Sequence, residues 1–250
     1  MPSKKPLMIT LKNRKEKSNI FVLKKKIRET SDVLTLKFSP IKGLVFSFKP
    51  GQFVLVSFFD NRLGKQCRAY SISSCPQDKF LTLTVKKTGV FSSALHKLKI
   101  GEKVKISPPL GDFYPKKSMK NLVFLAAGIG IAPFYSIIKS LYLEGSMNEL
   151  TLFYSNKTDK DIVFPEELSK LAKKWRKFKI IYILTQQKKD SNDENKEFQR
   201  LNVKILKKYL KDLNNKHYFI CGPIEFVNDL WQVLRKNGVE EYFIKTEVFY

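Results

Sequence analysis

The chain is poor in cysteine and histidine, with three of the first and two of the second. Cys67, Cys75 and Cys221 show no CxxC spacing. Three cysteines cannot all pair within one chain, and four thiolates are needed to hold an iron–sulfur cluster. A disulfide framework and a self-contained cluster are therefore both excluded. No metal site is expected. Free thiols fit a reducing compartment, so a cytoplasmic location is expected. No apolar run approaches the roughly 20 residues of a membrane span. The N-terminus is rich in lysine and has no apolar stretch of the kind that marks a secretory signal. Residues 1–17 are expected to form a solvated basic tail. A transit segment, or a weak contact with anionic lipid, stays open for them.

Acidic residues are also scarce. Asp and Glu number 23 against 47 Lys and Arg, for a net charge of +24. Such a field draws acidic partners and speeds their encounter. Acidic proteins, nucleic acid and anionic membranes all qualify. The lysines are spread along the chain, as at Lys24 to Lys26, Lys86, Lys87, Lys116, Lys117, Lys173 and Lys174. A generally basic solvated surface is as good a reading as a dedicated patch.

The 250 residues, 43% of them apolar, suffice for two domains of roughly 100–130 residues, each with its own core. In the first half, residues 21–27, 33–38, 53–59, 67–73, 80–86 and 103–107 are short, β-branched and aromatic, and turn residues separate them. Six strands at this spacing favour an antiparallel barrel. Residues 92–98 are expected to be helical. The pattern changes near residues 115–120, which divides the chain into domains at 18–116 and 117–250. The second half alternates. Residues 122–127, 150–154, 180–184, 218–221 and 243–249 read as strands, with helical stretches between them. Such alternation means a parallel sheet with right-handed crossovers. Residues 187–196 are polar and read as a loop.

Four segments carry candidate chemistry. In Arg68-Ala69-Tyr70-Ser71, residues two apart share a strand face, so Arg68 and Tyr70 project together. An Arg fork takes diphosphate oxygens two at a time, and a Tyr ring covers a flat aromatic ligand. An ordinary strand with an exposed Arg is the alternative. In Thr88-Gly89-Val90-Phe91-Ser92-Ser93, Ser92 or Ser93 can cap the helix, whose free N–H groups can hold phosphate. Plain capping stays open, and His96 reads as a surface or packing residue. Gly128-Ile129-Gly130-Ile131-Ala132-Pro133 follows a buried strand and enters a helix. It is a variant of the dinucleotide turn, with Pro in place of the third Gly. Cys221-Gly222-Pro223 closes another strand at the same sheet edge, although a buried structural cysteine accounts equally well for Cys221. The last apolar strand carries a carboxylate, Glu247, two residues before Phe249.

Together with Pro50-Gly51-Gln52-Phe53, Pro109-Leu110-Gly111-Asp112-Phe113 and Glu247-Val248-Phe249, these stretches resemble the ferredoxin–NADP⁺ reductase superfamily. Order and spacing match from about residue 20 to residue 250. The resemblance implies two domains: an antiparallel Greek-key β-barrel that binds FAD, then an α/β domain whose five-stranded parallel sheet binds NADH or NADPH. It implies FAD contacts from Arg68, Ala69, Tyr70, Ser71, Val85, Gly89, Phe91, Ser92, Ser93, Phe249 and Tyr250. Gly128, Gly130, Ile131, Pro133, Cys221, Gly222 and Pro223 would meet the nicotinamide dinucleotide. Ser71, Cys221 and Glu247 would flank the reacting atoms. The implied activity is hydride transfer between NAD(P)H and FAD, then single-electron exchange with a small acidic carrier such as ferredoxin or flavodoxin.

Three departures stand out. Neither a cluster domain nor a haem domain accompanies the two halves. Tyr250 lies one residue past the aligned Phe249. Thr185 is followed by Gln186 and Gln187 where NADPH-preferring relatives often place Arg, which leans toward NADH, although Lys188 or Lys189 could serve instead. Two alternatives remain. One is the reductase subunit of a multi-component oxygenase or respiratory complex. The other is a basic nucleic-acid binder on a degenerate reductase fold, which the absence of a nucleic-acid motif disfavours, so no nucleic acid is expected as partner.

Overall fold

A computed structural model describes residues 19–189 and 193–249. The expectations for residues 1–17 and for Tyr250 lie outside the described residues. The first half holds β1 (Asn19–Arg28), β2 (Val33–Pro40), β3 (Phe53–Phe58), β4 (Arg68–Ser71), β5 (Leu81–Lys86), α1 (Val90–Lys97) and β6 (Lys103–Ile106). These are the six strands and one helix expected there. Every pairing is antiparallel, in the order β4-β3-β6-β1-β2-β5. The two outer strands meet where Ile72 bridges Leu83 and Ser73 N–H donates to Thr82 O at 2.9 Å. The sheet thereby curls into a barrel, which protects its edges.

Alternation explains the filling. In β3, Val54, Val56 and Phe58 point inward and are buried. They pack with Phe21, Leu36, Phe38 and Leu83. The other face of β5 is buried as well. Its hydroxyls are satisfied by one another: Ser73 with Thr82 at 2.9 Å, Thr84 to Ser73 at 2.8 Å, and Thr35 with Thr84 at 3.0 Å. A buried polar ladder is stable only when its members are paired in this way.

Helix α1 begins two residues earlier than expected, and neither serine caps it. Gly89 is the N-cap. Ser92 lies in the first turn, and its Oγ accepts from Thr88 N–H at 2.9 Å and Gly89 N–H at 3.0 Å.

The second half runs β7 (Leu122–Ala127), α2 (Ile131–Leu143), β8 (Leu150–Asn156), α3 (Pro165–Lys174), β9 (Phe178–Leu184), β10 (Lys196–Glu197), α4 (Val203–Leu210), β11 (His217–Pro223), α5 (Ile224–Lys236) and β12 (Ile244–Phe249). The sheet is parallel throughout, in the order β10-β9-β8-β7-β11-β12. It has six strands rather than the expected five. The extra one, β10, is two residues at the end of the segment read as loop, too short to show a period. It is fixed by Glu197, whose carboxylate accepts from Lys208 Nζ at 2.7 Å and Tyr209 Oη at 2.9 Å. Strand β7 is apolar on both faces because both are covered. Leu122, Phe124 and Ala126 face one core; Val123 and Leu125 face the other.

The chain leaves β7 for β8 on one side and later returns to β11 on the other. That reversal opens a crevice at the carboxyl ends of β7 and β11. The barrel closes over it. Phe113, from the connection after β6, packs against Phe134 and Phe219 at 5.5 and 5.4 Å between ring centroids. Gly51 has φ +96°, and a Cβ there would lie 2.1 Å from Phe113 O. Ser136 Oγ donates to Ser74 O at 2.5 Å, and Lys139 pairs with Asp78. Among the described residues no helix is long and apolar enough to cross a membrane.

Candidate active site

Two cavities lie between barrel and sheet. The first, about 520 Å³, is walled by Arg68 to Ser71, Gly89 to Ser92, Ile129, Ala132 and Phe249. The second, about 400 Å³, is walled by Gly128, Ile129, Asn156, Thr185, Gly222 and Pro223, and again by Phe249. Lys86, Thr88, Ile129 and Phe249 line both, so the two spaces share a wall.

The first cavity is built for an anion beside a flat ring. Phe91 projects from α1 and packs against Phe58 of the barrel core at 5.0 Å. Tyr70 stacks on Phe91 at 6.3 Å, and the Arg68 guanidinium lies 5.7 Å from the same ring. Arg68 and Tyr70 do project together, as strand alternation requires. Arg68 Nη1 donates to Cys67 O at 2.9 Å and Nη2 to Gln66 Oε1 at 3.3 Å, which leaves the remaining N–H groups of the fork for a ligand. Burial pushes the Tyr70 phenol up to about 12, so it stays protonated and able to donate. In the first turn of α1, the N–H groups of Val90 and Phe91 have no intrahelical partner. No acid occupies that turn. A Cβ at Gly89 would meet nothing within 4 Å, so the space before the helix is open.

The second cavity sits over the glycine turn. Gly128 has φ +52°, a conformation that favours glycine, and a Cβ there would project into open space. Gly130 serves packing instead: a Cβ would lie 2.3 Å from Cys221 O. The turn can therefore press against the end of β11 only without a side chain. Tyr154 Oη donates to Gly128 O at 3.2 Å and accepts from Val163 N–H at 3.1 Å, which steadies the turn from beneath.

At the wall of the first cavity, a hydrogen bond runs from barrel to sheet. Ser71 Oγ donates to Glu247 Oε1 at 3.0 Å. Parallel pairing of β11 with β12 sets Cys221 beside Glu247. The Cys221 thiol is pushed well up, by burial first and then by the Glu247 charge. The Glu247 carboxyl is pushed from its ordinary 4.5 to about 7. Burial is the main cause and the Asp112 charge adds to it, while the Ser71 hydrogen bond pulls it back.

This carboxyl couples stability to pH. An unfolded chain loses the Glu247 proton near 4.5, the folded one near 7. Between those values the native state holds more protons, so stability falls as pH rises. The contribution is whole below about 4.5 and gone above about 7, on the order of 3 kcal/mol. Glu247→Gln is expected to flatten that slope in the cofactor-free protein. Denaturant titrations at about pH 5 and about pH 8 read it. An unchanged slope in the variant would trace the pH dependence to other groups.

Two family profiles fall in tandem on this frame. The oxidoreductase FAD-binding domain profile matches residues 20–114, and the oxidoreductase NAD-binding domain profile matches residues 124–232. The chain belongs to the ferredoxin–NADP⁺ reductase superfamily. Among its relatives is the ferredoxin reductase component of the 3-ketosteroid-9-alpha-monooxygenase of Mycolicibacterium smegmatis. It is 32% identical over 234 residues, covering 89% of this chain and 63% of that protein. The fold matches the FAD/NAD-binding domain of the nitric oxide dioxygenase of Vibrio cholerae, with a TM-score of 0.83 at 23% identity over 93% of this chain and 98% of that one. It also matches the ferredoxin NADP⁺ reductase of Neisseria gonorrhoeae, with a TM-score of 0.80 at 22% identity over 92% and 98%. The chain spans about three-fifths of the length of the curated relatives it matches.

On this reductase frame the expected residues divide into two groups. Arg68, Ala69, Tyr70, Ser71, Gly89, Phe91, Ser92 and Phe249 line the first cavity, and Gly128, Gly222, Pro223 and Phe249 the second. Gly130, Ile131, Pro133 and Cys221 are buried behind the turn and line neither. Val85 packs in the barrel core, where its carbonyl pairs with His96 Nε2 at 2.8 Å. Ser93 faces a separate basic cleft with Lys26, Arg28, Lys87 and Lys97. Sequence reasoning missed Lys86 and Asn156, and it gave no role to Thr88, which opens a segment it singled out. Position was the available signal, since each adjoins a strand end or a glycine that had been singled out.

The residues fit both dinucleotides of a reductase. The Arg68 fork and the free N–H groups of α1 match a diphosphate, with Tyr70 and Phe249 available to the flat ring of FAD. The open space over Gly128 admits the backbone-close approach that a second dinucleotide needs.

Proposed function

We propose that the protein is an FAD-dependent NAD(P)H oxidoreductase that passes electrons singly to a separate acidic protein. One observation carries this reading: two cavities share the Ile129–Phe249 wall, and beside the first of them the Ser71–Glu247 hydrogen bond ties barrel to sheet. FAD, when bound, supplies hydride acceptance and one-electron release.

The chain orients and screens that chemistry. Arg68 and the α1 N–H groups would hold the diphosphate, and Tyr70 would cover the flavin. Ser71 would offer its hydroxyl to the flavin and can give or take a proton through Glu247. A carboxyl that titrates near 7 can hold either state at neutral pH. Ionised, Glu247 stabilises positive charge developing on the nicotinamide. Cys221, buried beside Glu247, acts by packing and by keeping the carboxyl away from water. Phe249, at the shared wall, would stand between the two rings. Close, water-excluded alignment of this kind supplies much of the acceleration.

The acceptor follows from charge. A net +24 favours a small acidic carrier such as ferredoxin or flavodoxin. The free cysteines support a cytoplasmic setting. The names of curated relatives favour a second reading, the reductase component of an oxygenase system. Steady-state assays with NADH and NADPH against ferricyanide, then against acidic carriers across a salt series, test the proposal. Carrier KM is expected to rise roughly tenfold between about 20 mM and about 300 mM salt, while the ferricyanide rate changes little. A carrier KM indifferent to salt would contradict docking by charge. Co-purification with an oxygenase would favour the second reading.

A further inference from the structure

A cleft of about 450 Å³ on the barrel is lined by cations with no counter-charge. Its charged walls are Lys26, Arg28, Lys87 and Lys97, and Ser93 and His96 add polar groups. Among the described residues no carboxylate lines it, and none of the four cations forms a salt bridge. It shares no lining residue with either cavity.

The basic composition of the chain does not by itself produce such a cleft, because other concave sites balance their charges. One sets Lys37, Lys79 and Lys139 against Glu29, Asp78 and Glu167. Another sets Lys189, Lys196 and Lys208 against Asp193, Glu194 and Glu197. The second cavity pairs Lys86 and Lys157 with Asp32 and Asp161. The first cavity has cations alone, Arg68 and Lys86, and a diphosphate is expected there. The cleft has twice as many.

The fold gathers these charges from three elements. Lys26 and Arg28 are two apart on β1 and share a face. Lys87 follows β5, and Lys97 ends α1 one turn after Ser93. Lys26 Nζ donates to His96 O at 2.5 Å and to Leu98 O at 3.0 Å, which fixes one charge at the end of α1. Arg28 Nη1 donates to Ser31 O at 3.1 Å. Burial first, and then the charges of Lys26, Lys87 and Arg28, hold the His96 imidazole below its ordinary 6.5. Three of the four cations thus act on one ring. Like charges held this close repel, and a bound anion relieves the repulsion.

We propose that this cleft binds a polyphosphate group, carried by a soluble nucleotide or by a lipid headgroup. Charge selects it. A single phosphate carries at most about two negative charges near pH 7, so four cations call for more than one. Arg28 offers a planar fork and the lysines offer point charges, and both kinds of group bind phosphate.

The test uses FAD-loaded protein with NAD⁺ present, so that the two cavities are filled. Inorganic triphosphate is the calorimetric probe, at about 50 mM salt without divalent cations. One triphosphate per chain is expected, bound at least about tenfold more tightly than sulfate. Lys87→Ala/Lys97→Ala removes two exposed lysines of the cleft. It is expected to weaken triphosphate about a hundredfold with FAD content and melting midpoint unchanged. Arg28→Lys keeps the charge, loses the fork, and is expected to weaken it about tenfold. Lys173→Ala/Lys174→Ala removes the same charge from the exposed end of α3 and is expected to cost less than about threefold. Wild-type affinity in the cleft double variant would overturn the proposal. So would equal losses in the two double variants, which would mean binding by net charge, or triphosphate binding no tighter than sulfate. ATP and vesicles carrying a bisphosphorylated inositol lipid, tried in parallel, identify the source: capture by either that is lost in Lys87→Ala/Lys97→Ala supports the site. The cleft is separate from both cavities, so the same titration of the cofactor-free chain tests it even where the proposed function fails.

Discussion

Arg68→Ala is expected to leave gel filtration without its yellow colour. The side chain is exposed, so the barrel loses no core contact and the cofactor-free fold should melt as before. What disappears is a two-pronged cation whose place is set in advance. Cys67 O holds one nitrogen and Gln66 Oε1 another, and the Phe91 ring lies beneath the guanidinium. A fork so placed loses little freedom when it meets a diphosphate. Charge-assisted hydrogen bonds contribute about 1.5–3 kcal/mol each, and every 1.4 kcal/mol is tenfold, so losing two of them should lower FAD affinity about 10²- to 10⁴-fold. Arg68→Lys keeps the charge but not the fork and should fall between. Flavin absorbance of the eluted protein, before and after adding FAD, measures this. Full retention of FAD by Arg68→Ala would refute the diphosphate assignment.

Ser71→Ala is expected to do the reverse: keep FAD and slow its reduction. Ser71 is buried at the end of β4, and one of its partners is the Glu247 carboxylate 176 residues away. Removing the hydroxyl removes a proton path of a kind worth about 10²- to 10⁴-fold in rate. It also removes the one hydrogen bond that holds the Glu247 carboxyl down. The pH at which the reduction rate changes should therefore move upward from about 7. Stopped-flow flavin bleaching across pH reads both effects. A variant with the wild-type rate and an unmoved profile would remove Ser71 from proton handling.

Much of this arrangement was legible in the sequence because it follows from period and position. Residues two apart in β4 share a face, so Arg68 and Tyr70 had to project together. The apolar run of β7 had to be covered on both faces, and a glycine turn after such a strand had to open at the sheet's carboxyl edge. The misses have local causes. Ser-Ser before an apolar helix looks like a cap, but Gly89 takes the extended N-cap conformation and Ser92 reaches back from inside the helix. Val85 and Lys86 are neighbours on one strand, and only the barrel's curvature decides that the lysine, not the valine, meets the cavity. Strand β10 is two residues held by a salt bridge to a later helix, which no short-range pattern records. Asn156 reads as the polar end of an apolar strand, and its place in the wall of the second cavity appears only when the surrounding atoms are placed.

The most direct measurement is anaerobic mixing of the FAD-loaded protein with NADH, following flavin absorbance. Bleaching of bound flavin in a fast phase that saturates with NADH is the expected result. Flavin that stays bound yet remains oxidised with both NADH and NADPH would contradict the claim that the two cavities bring their ligands together.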